Sequence, residues 1–235
     1  MKVFAISDLH LGFAVEKSMD IFGEHWKDHP ERLRQEWVAR IADDDLVLIP
    51  GDISWAMKLD EAFKDLRFLG DLPGTKIIIK GNHDYWWQGK KKLKEVLPAS
   101  IIPLQNTAFV RGDIGIAGTR LWIDPDLQLE QTNTADIKIF DREQGRLANS
   151  LKALPKGVKK RIIITHFPPI SLEGKPGRAF QIAQEYGCDI WVFGHMHLYN
   201  LDYTGFNRTI NKTRFVFVSA DYLNFQPELI LEAAE

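Results

Sequence analysis

The sequence predicts an α/β fold with mixed β-sheets, and three observations carry that prediction. Short apolar runs of strand length recur along the 235 residues, helix-period segments lie between several of them, and one pair of runs folds back at a turn signal. The runs are Val3–Ile6, Leu46–Ile49, Ile77–Ile79, Phe109–Val110, Ile114–Ala117, Ile162–Ile164, Ile190–Phe193 and Phe215–Val218. Near-continuous β-branched runs of this length fit strands buried on both faces. Phe109 to Ala117 reads as a hairpin turning at Gly112-Asp113, which brings an antiparallel pair into otherwise parallel sheets.

The helical segments follow from apolar spacing. Leu33, Trp37 and Ile41 repeat every four residues and predict a helix over Glu31–Ile41. Leu59, Ala62, Phe63 and Leu66 share one face of a second helix, and Leu147, Leu151 and Leu154 share a face of a third. Ala179, Ile182, Ala183 and Tyr186 do the same in a helix starting at Arg178, with Gly187 placed to stop it. Strands alternating with helices indicate layered α/β packing. With no repeat, linker or low-complexity stretch, residues 1–235 are expected to form a single domain.

Composition narrows the function. Hydrophobic residues make up 45% and charged residues 26%, as in ordinary globular proteins. The formal net charge of −2 argues against strong, sequence-blind nucleic-acid binding, which needs a clearly basic surface. A lone cysteine, Cys188, excludes an intramolecular disulfide and a cysteine-rich zinc site. It is read as a buried small hydrophobe. The N-terminal apolar run is too short for a secretory segment and no stretch reaches the length of a membrane span, so a cytoplasmic protein is expected.

The chemistry sits just after the predicted strands. Asp8-Leu9-His10 follows the first, Gly51-Asp52 the second and Gly81-Asn82-His83-Asp84 the third. Thr165-His166 follows the Ile162–Ile164 run, and Gly194-His195-Met196-His197 follows Ile190–Phe193. Strand carboxyl ends are where open α/β sheets build their sites. Of seven histidines, five fall at these points, which scattered surface histidines would not do. The glycines before Asp52, Asn82 and His195 suit tight turns or close backbone approach. The i,i+2 spacing of Asp8 with His10, and of His195 with His197, turns both side chains one way if the backbone is extended. Carboxylates, imidazoles and one amide oxygen suit Mn, Fe or Zn, as divalent or trivalent ions, better than Ca²⁺. Seven candidate ligands exceed the needs of one metal. Two metals roughly 3.5–4 Å apart, sharing a bridging carboxylate, would use them all.

This series of blocks resembles that of the calcineurin-like metallophosphoesterases, in the same order and over most of the chain, from Asp8 to His197. The wording Ser7-Asp8-Leu9-His10-Leu11 and Gly81-Asn82-His83-Asp84-Tyr85-Trp86-Trp87 resembles a bacterial group of small predicted phosphohydrolases. The resemblance implies a four-layer α/β/β/α sandwich and hydrolysis of a phosphate ester by water activated between two metals. It implies Asp8, His10 and His197 at the first metal, Asn82, His166 and His195 at the second, and Asp52 bridging them. It places His83 beside the substrate phosphate, as proton donor to the leaving group or as a brace for the transition state. Protein phosphatases of the superfamily carry Gly-Asp-x-Val-Asp-Arg-Gly, whereas this chain reads Gly51-Asp52-Ile53-Ser54-Trp55-Ala56-Met57. Trp55 thus stands where their histidine-supporting Asp would be, which counts against a phosphoprotein substrate. Asp84 is the nearest candidate partner for His83 in the sequence.

Other residues have weaker claims. Trp86 and Trp87 directly follow His83 and are read as pocket wall, while Lys90-Lys91-Lys92 and Lys94 are read as a solvated helix face. Arg120, Lys175 and Arg178 are candidate substrate phosphate contacts. His25 and His29 are read as exposed residues leading into the first helix, and Asp43-Asp44-Asp45 as a turn. The expected substrate is a small phosphorylated molecule, with a marginal preference for a phosphodiester or nucleotide type. The alternatives are a nuclease and a non-catalytic protein that keeps the ligands as a scaffold.

Overall fold

The computed structural model describes residues 1–15, 17–128, 131–200 and 205–233. In chain order the first half contains β1 (Lys2–Ala5), α1 (His29–Arg40), β2 (Leu46–Ile49), α2 (Leu59–Asp71), β3 (Thr75–Ile78), α3 (Lys90–Val96) and β4 (Ile101–Pro103). The second half contains β5 (Ala108–Arg111), β6 (Ile114–Thr119), α4 (Thr134–Lys152), β7 (Lys160–Thr165), α5 (Arg178–Tyr186), β8 (Ile190–Phe193), β9 (Arg208–Ile210), β10 (Thr213–Phe217) and β11 (Glu228–Glu232).

These strands form two mixed sheets. One has the order β11-β1-β2-β3-β4, with only β11 antiparallel to its neighbour. The other has the order β5-β6-β7-β8-β10-β9, parallel in the middle and antiparallel at both edges. The hairpin lies where the sequence puts it, pairing Arg111 with Ile114 around Gly112 at φ 56°.

Alternation along each strand explains the layers. Val3 and Ala5, Leu46 and Leu48, Ile162 and Ile164, and Ile190 and Val192 point into one core between the sheets. Their neighbours Phe4, Val47 and Ile49 point outward, under α1, α2 and α3. Ile163, Trp191 and Phe193 point outward on the other sheet, under α4 and α5. Period-two side chains that are apolar on both faces need cover on both faces. The result is the expected α/β/β/α sandwich. Among the described residues no helix is long and apolar enough to cross a membrane.

Several expectations need correction. The first helix starts at His29 and ends at Arg40, with Ile41 as its cap. Phe63 is not on the buried face of α2 and is 45% exposed, while Asp65 takes an inward place. Leu154 lies beyond α4 but still packs half-buried against its core. The edge strands β4, β9 and β11 are short or carry charges, so no long apolar run marks them. In α3 only Leu93 is buried, and Lys91, Lys92 and Lys94 are exposed as a solvated face. Asp43 and Asp44 form the predicted turn, and the buried Asp45 carboxylate fastens it to β1 by accepting Lys2 N at 2.6 Å.

A stability test separates the two kinds of helix position. Leu147→Ala, in the core under α4, is expected to cost about 2–5 kcal/mol in urea unfolding, and Phe63→Ala no more than about 0.5 kcal/mol.

Candidate metal centre

The five ligand blocks meet where the two sheets touch. Ser7 N donates to Val218 O at 2.8 Å and Ala220 N to Ser7 O at 2.9 Å, a parallel bridge between the end of β1 and the end of β10. Asp8 N then donates to Gly51 O and His10 N to Asp52 O, both at 3.1 Å, and Gly194 N donates to His166 O at 3.2 Å. Backbone lacing therefore sets the spacing of the loops before any side chain is considered.

The loops are not extended. Asp8, His10, Asp52 and His195 all have positive φ, between 45° and 75°. The i,i+2 pairs converge through left-handed turns rather than through strand geometry, a costly conformation for residues with a Cβ. The three glycines act by close approach. A Cβ on Gly81 would strike the Asp52 carboxylate, and one on Gly194 would strike Ser7 and the Asp8 carboxylate. Gly51 has φ 91° as well.

Two groups of donor atoms result. Asp8, His10 and His197 present ligand atoms within 4.8 Å of one another, and so do Asp8, Asp52 and His166. The second group extends further. His166 Nε2 lies 2.6 Å from Asn82 Oδ1, 3.2 Å from His195 Nδ1 and 3.4 Å from Asp52 Oδ2. His195 Nδ1 is 3.0 Å from Asn82 Oδ1. In the first group His10 Nε2 and His197 Nε2 stand 3.3 Å apart, with Asp52 Oδ2 at 3.9 Å from the former.

This donor set fits cations. His166 Nδ1 faces the carbonyl of Pro50 at 2.9 Å and so carries the ring's hydrogen. Its Nε2 lone pair then points at an amide oxygen, a carboxylate and a second imidazole, all lone-pair donors. Such a convergence is stable only with a proton or a metal ion between the atoms. Without a metal a proton fills the role. Burial opposes charge on His166, but the Asp52 carboxylate beside it and the Pro50 carbonyl push its pKa up to about 9. Burial alone would raise Asp52, and the charges of His166 and His10 instead hold it well below the usual carboxylate range. Burial together with the His166 charge drops His195 to about 3.

Similarity to known proteins agrees with this geometry. The family described as calcineurin-like phosphoesterase matches residues 1–199. The chain belongs to that family. The family's chemistry is metal-dependent phosphoester hydrolysis. The chain is also 33% identical, over 78 residues, to the gene 66 protein of Mycobacterium phage L5. That match covers 33% of the chain and 37% of the phage protein. Phosphopantetheinyl hydrolase from Mycobacterium tuberculosis has a similar fold, with a TM-score of 0.60 at 15% identity over 99% of this chain and 96% of that one. A protein of unknown function from Aquifex aeolicus has a TM-score of 0.53 at 17% identity, covering 97% and 94%. GAP50, the anchor in the inner membrane complex of Plasmodium, has 0.53 at 14% identity, covering 94% and 72%.

The remaining candidate residues divide. His83 stands at the rim of the candidate site, its ring centroid 5.7 Å from that of His10 and its backbone N donating to Asp52 Oδ1 at 2.8 Å. Among the described residues no hydrogen bond joins Asp84 to the His83 ring. Its buried carboxylate accepts from Gly81 N at 2.8 Å, Asp52 N and Ile53 N at 2.9 Å, Ser54 N at 3.2 Å and Trp86 Nε1 at 2.9 Å. Five donors leave no lone pair for a sixth partner. Burial and the Asp52 charge push this carboxyl up to about 6, against the pull of the amides. Trp86 is not pocket wall. It is fully buried in the α1–α3 core because its indole is needed at Asp84. Lys175 and Arg178 turn to Asp126 instead of the candidate ligands, at 3.2 Å and 2.8 Å. Arg120 borders the site through its carbonyl, which accepts His166 N at 3.1 Å and Phe167 N at 3.0 Å.

Several contributors escape the sequence reading. Asp221 Oδ1 lies 3.3 Å from His197 Nδ1, a buried carboxylate within ion-pair range of that ring. Asp221 follows the Phe215–Val218 run, so the strand-end rule contains the signal for it. Ser219 Oγ donates to Asp8 Oδ2 at 2.9 Å, and Ser7 Oγ donates to the same oxygen. Trp55, in place of the superfamily's second Asp, stacks on His10 at 4.6 Å and packs against His83 at 4.6 Å. His29 is buried, its ring nitrogens 3.0 Å from the carbonyls of Trp26 and Leu9, which corrects the expectation of an exposed residue. Trp26 is also buried and meets His10 and His197 edge-on.

Asp84 and His83 should therefore differ in stability. Asp84→Asn puts an amide N–H₂ among five donors and is expected to cost roughly 3 kcal/mol in chemical unfolding. His83→Ala breaks no side-chain hydrogen bond and should stay within about 1 kcal/mol of the parent.

Proposed function

We propose that residues 1–235 act as one domain that hydrolyses a small phosphate ester at a two-metal centre, with a phosphodiester or nucleotide-type substrate preferred. The observation that carries this reading is the meeting of lone-pair donors on both sides of Asp52. Asp8, His10 and His197 would hold one ion, Asn82, His166 and His195 the other, and Asp52 would bridge them. Mn, Fe and Zn all suit this mixed nitrogen and oxygen set. Two such ions would supply a nucleophile by lowering the pKa of coordinated water toward about 7, and would polarise the phosphoryl oxygens.

The chain supplies the rest. Asp8 and Asp52 give two negative charges, so four positive charges from two divalent ions leave a surplus that favours a bound anionic phosphate. His83 is half-buried at the rim and, among the described residues, its side chain makes no hydrogen bond, so its ring can hold a proton for the leaving oxygen. Burial lowers its pKa, with the Asp52 charge opposing, and a phosphate dianion alongside would raise it. Trp55 and Tyr85 flank that ring and set its direction, at 4.6 Å and 6.5 Å between centroids. Asp221 is a positioning residue that orients His197. The single half-buried cysteine supports a cytoplasmic setting.

Hydrolysis of bis-p-nitrophenyl phosphate and of p-nitrophenyl phosphate by Mn²⁺-loaded protein tests the reading. Turnover of either ester is expected, with the diester faster. Asp52→Asn should lower it by about a hundredfold or more. His83→Ala should lower kcat by roughly 10²–10⁴ with metal content unchanged. Two ions bound by the parent protein without turnover of any phosphoester would instead favour a scaffold role.

Metal affinity should also depend on pH in one direction. Below about pH 9 the metal-free protein carries a proton on His166, and a metal must displace it. Affinity should rise as pH rises toward 9, by up to about tenfold per unit from this group, and flatten above it. Calorimetry in buffers of different ionisation enthalpy would show proton release, and pH-independent affinity would refute the assignment of His166.

A further inference from the structure

Beside the candidate metal centre lies a second concavity of about 400 Å³ whose lining includes Lys80, Gln105, Arg120, Arg142, Glu143 and Arg146. Two of its walls adjoin residues of that centre, one along the chain and one through backbone hydrogen bonds. Lys80 directly precedes Gly81-Asn82, and Arg120 holds the backbone of His166 and Phe167 through its carbonyl.

Its charge is unbalanced. Four cations face the single carboxylate of Glu143, which is itself buried. That carboxylate is already engaged by Thr119 Oγ1 at 2.6 Å, by Arg146 at 2.6 Å and by Arg120 at 3.6 Å. Among the described residues neither Lys80 nor Arg142 has an ion-pair partner. Two lining residues also carry buried polar atoms with no hydrogen-bond partner, Arg120 Nε and Gln105 Oε1. Clustered cations with unused donors repel one another unless an anion joins them. The general structural alternative, a solvated charged helix face, accounts for Arg142 alone. It does not account for a buried unpaired guanidinium nitrogen or for a lysine at the foot of a ligand loop.

We propose that this concavity is an anion subsite that receives a second, uncleaved phosphate group of the substrate, which makes the substrate class a bisphosphorylated small molecule. The proposal rests on the phosphoester-hydrolase reading for the first phosphate, and its own test needs binding only. Arg120, Arg142 and Lys80 supply the donors, and Glu143 holds Arg120 and Arg146 in place as a positioning residue.

The probes are a short, a medium and a long alkanediol bisphosphate, compared with the matching alkyl monophosphates. Binding to Mn²⁺-loaded protein is measured by calorimetry, so that one linker spans the two sites whatever their separation. At least one bisphosphate should bind about tenfold or more tightly than its monophosphate, the value of one good charge-assisted contact. Arg142→Gln should erode that advantage and Arg142→Glu should abolish it, while Arg142→Lys keeps part of it. Arg142 is exposed, and an unchanged melting temperature checks that each variant is folded. Equal affinity of mono- and bisphosphates for the parent protein would overturn the proposal, as would an advantage that survives Arg142→Glu. Two equivalents of inorganic phosphate bound without any bisphosphate advantage would also overturn it, assigning the concavity to free phosphate. A bisphosphate advantage in a protein that hydrolyses no ester would leave the subsite standing and defeat the catalytic reading alone.

Discussion

Four backbone amides from two loops end on the buried Asp84 carboxylate, and that shared acceptor keeps the Gly51-Asp52 loop against the Gly81-Asn82 loop. Both loops leave parallel strands of one sheet, and neither has a regular ladder to hold it. Burying a carboxylate is costly, and only full hydrogen bonding offsets the lost hydration. The amides gain as much, because strand-end N–H groups in a dry interior otherwise lack acceptors. Asp8 does the equivalent across the sandwich. Its carboxylate takes hydrogen bonds from Ser219 on the far sheet and from the His195 backbone, while its own backbone is tied to Gly51. Two sheets and five loops are thereby referred to a common point.

That common point gathers lone-pair donors, which a proton or a cation can join. The Nε2 atoms of His10 and His197 face each other, and Asn82, His166 and His195 crowd together by their lone pairs. The two sheets and three apolar layers hold these groups in place, and a proton on His166 joins its cluster. Aromatic rings close the rim. Trp55 and Trp26 cover His10, and Phe167 lies 4.0 Å from His195. Low local polarity at that wall strengthens every charge interaction inside it. Trp55 also packs against the His83 ring, and among the described residues that ring makes no side-chain hydrogen bond.

Legibility in the sequence follows how local each signal is. The strands β2 and β8 are readable to the residue, because burial on both faces demands apolar residues throughout. The strands β9 and β11 are not, because they are held by a partner strand at a sheet edge and tolerate Arg, Thr and Glu. Phe63 misleads because periodicity reports which residues could share a face, and the packed neighbour decides which of them are covered. Asp84 misleads in the opposite way. It is adjacent to His83 in the chain, yet a left-handed approach of the Asp52 loop captures its carboxylate from the other side. Trp86 follows Asp84 into the core for the same reason.

The sequence by itself determined the chemistry of the candidate site: which residue types stand at strand ends, in what order, and that they suit nitrogen- and oxygen-seeking ions. It also determined the layering, since apolar character on both faces of so many strands has few packing solutions. Only the tertiary structure decided which groups face which. It assigned Asp84 to the backbone and not to His83, brought Asp221 to His197 and Ser219 to Asp8, and turned Lys175 and Arg178 away to Asp126. It also placed Lys80, Arg120 and Arg142, far apart in the chain, around one concavity. Such pairings depend on loop direction, which is set by backbone hydrogen bonds between segments as distant as residues 7 and 219, and no local pattern encodes those.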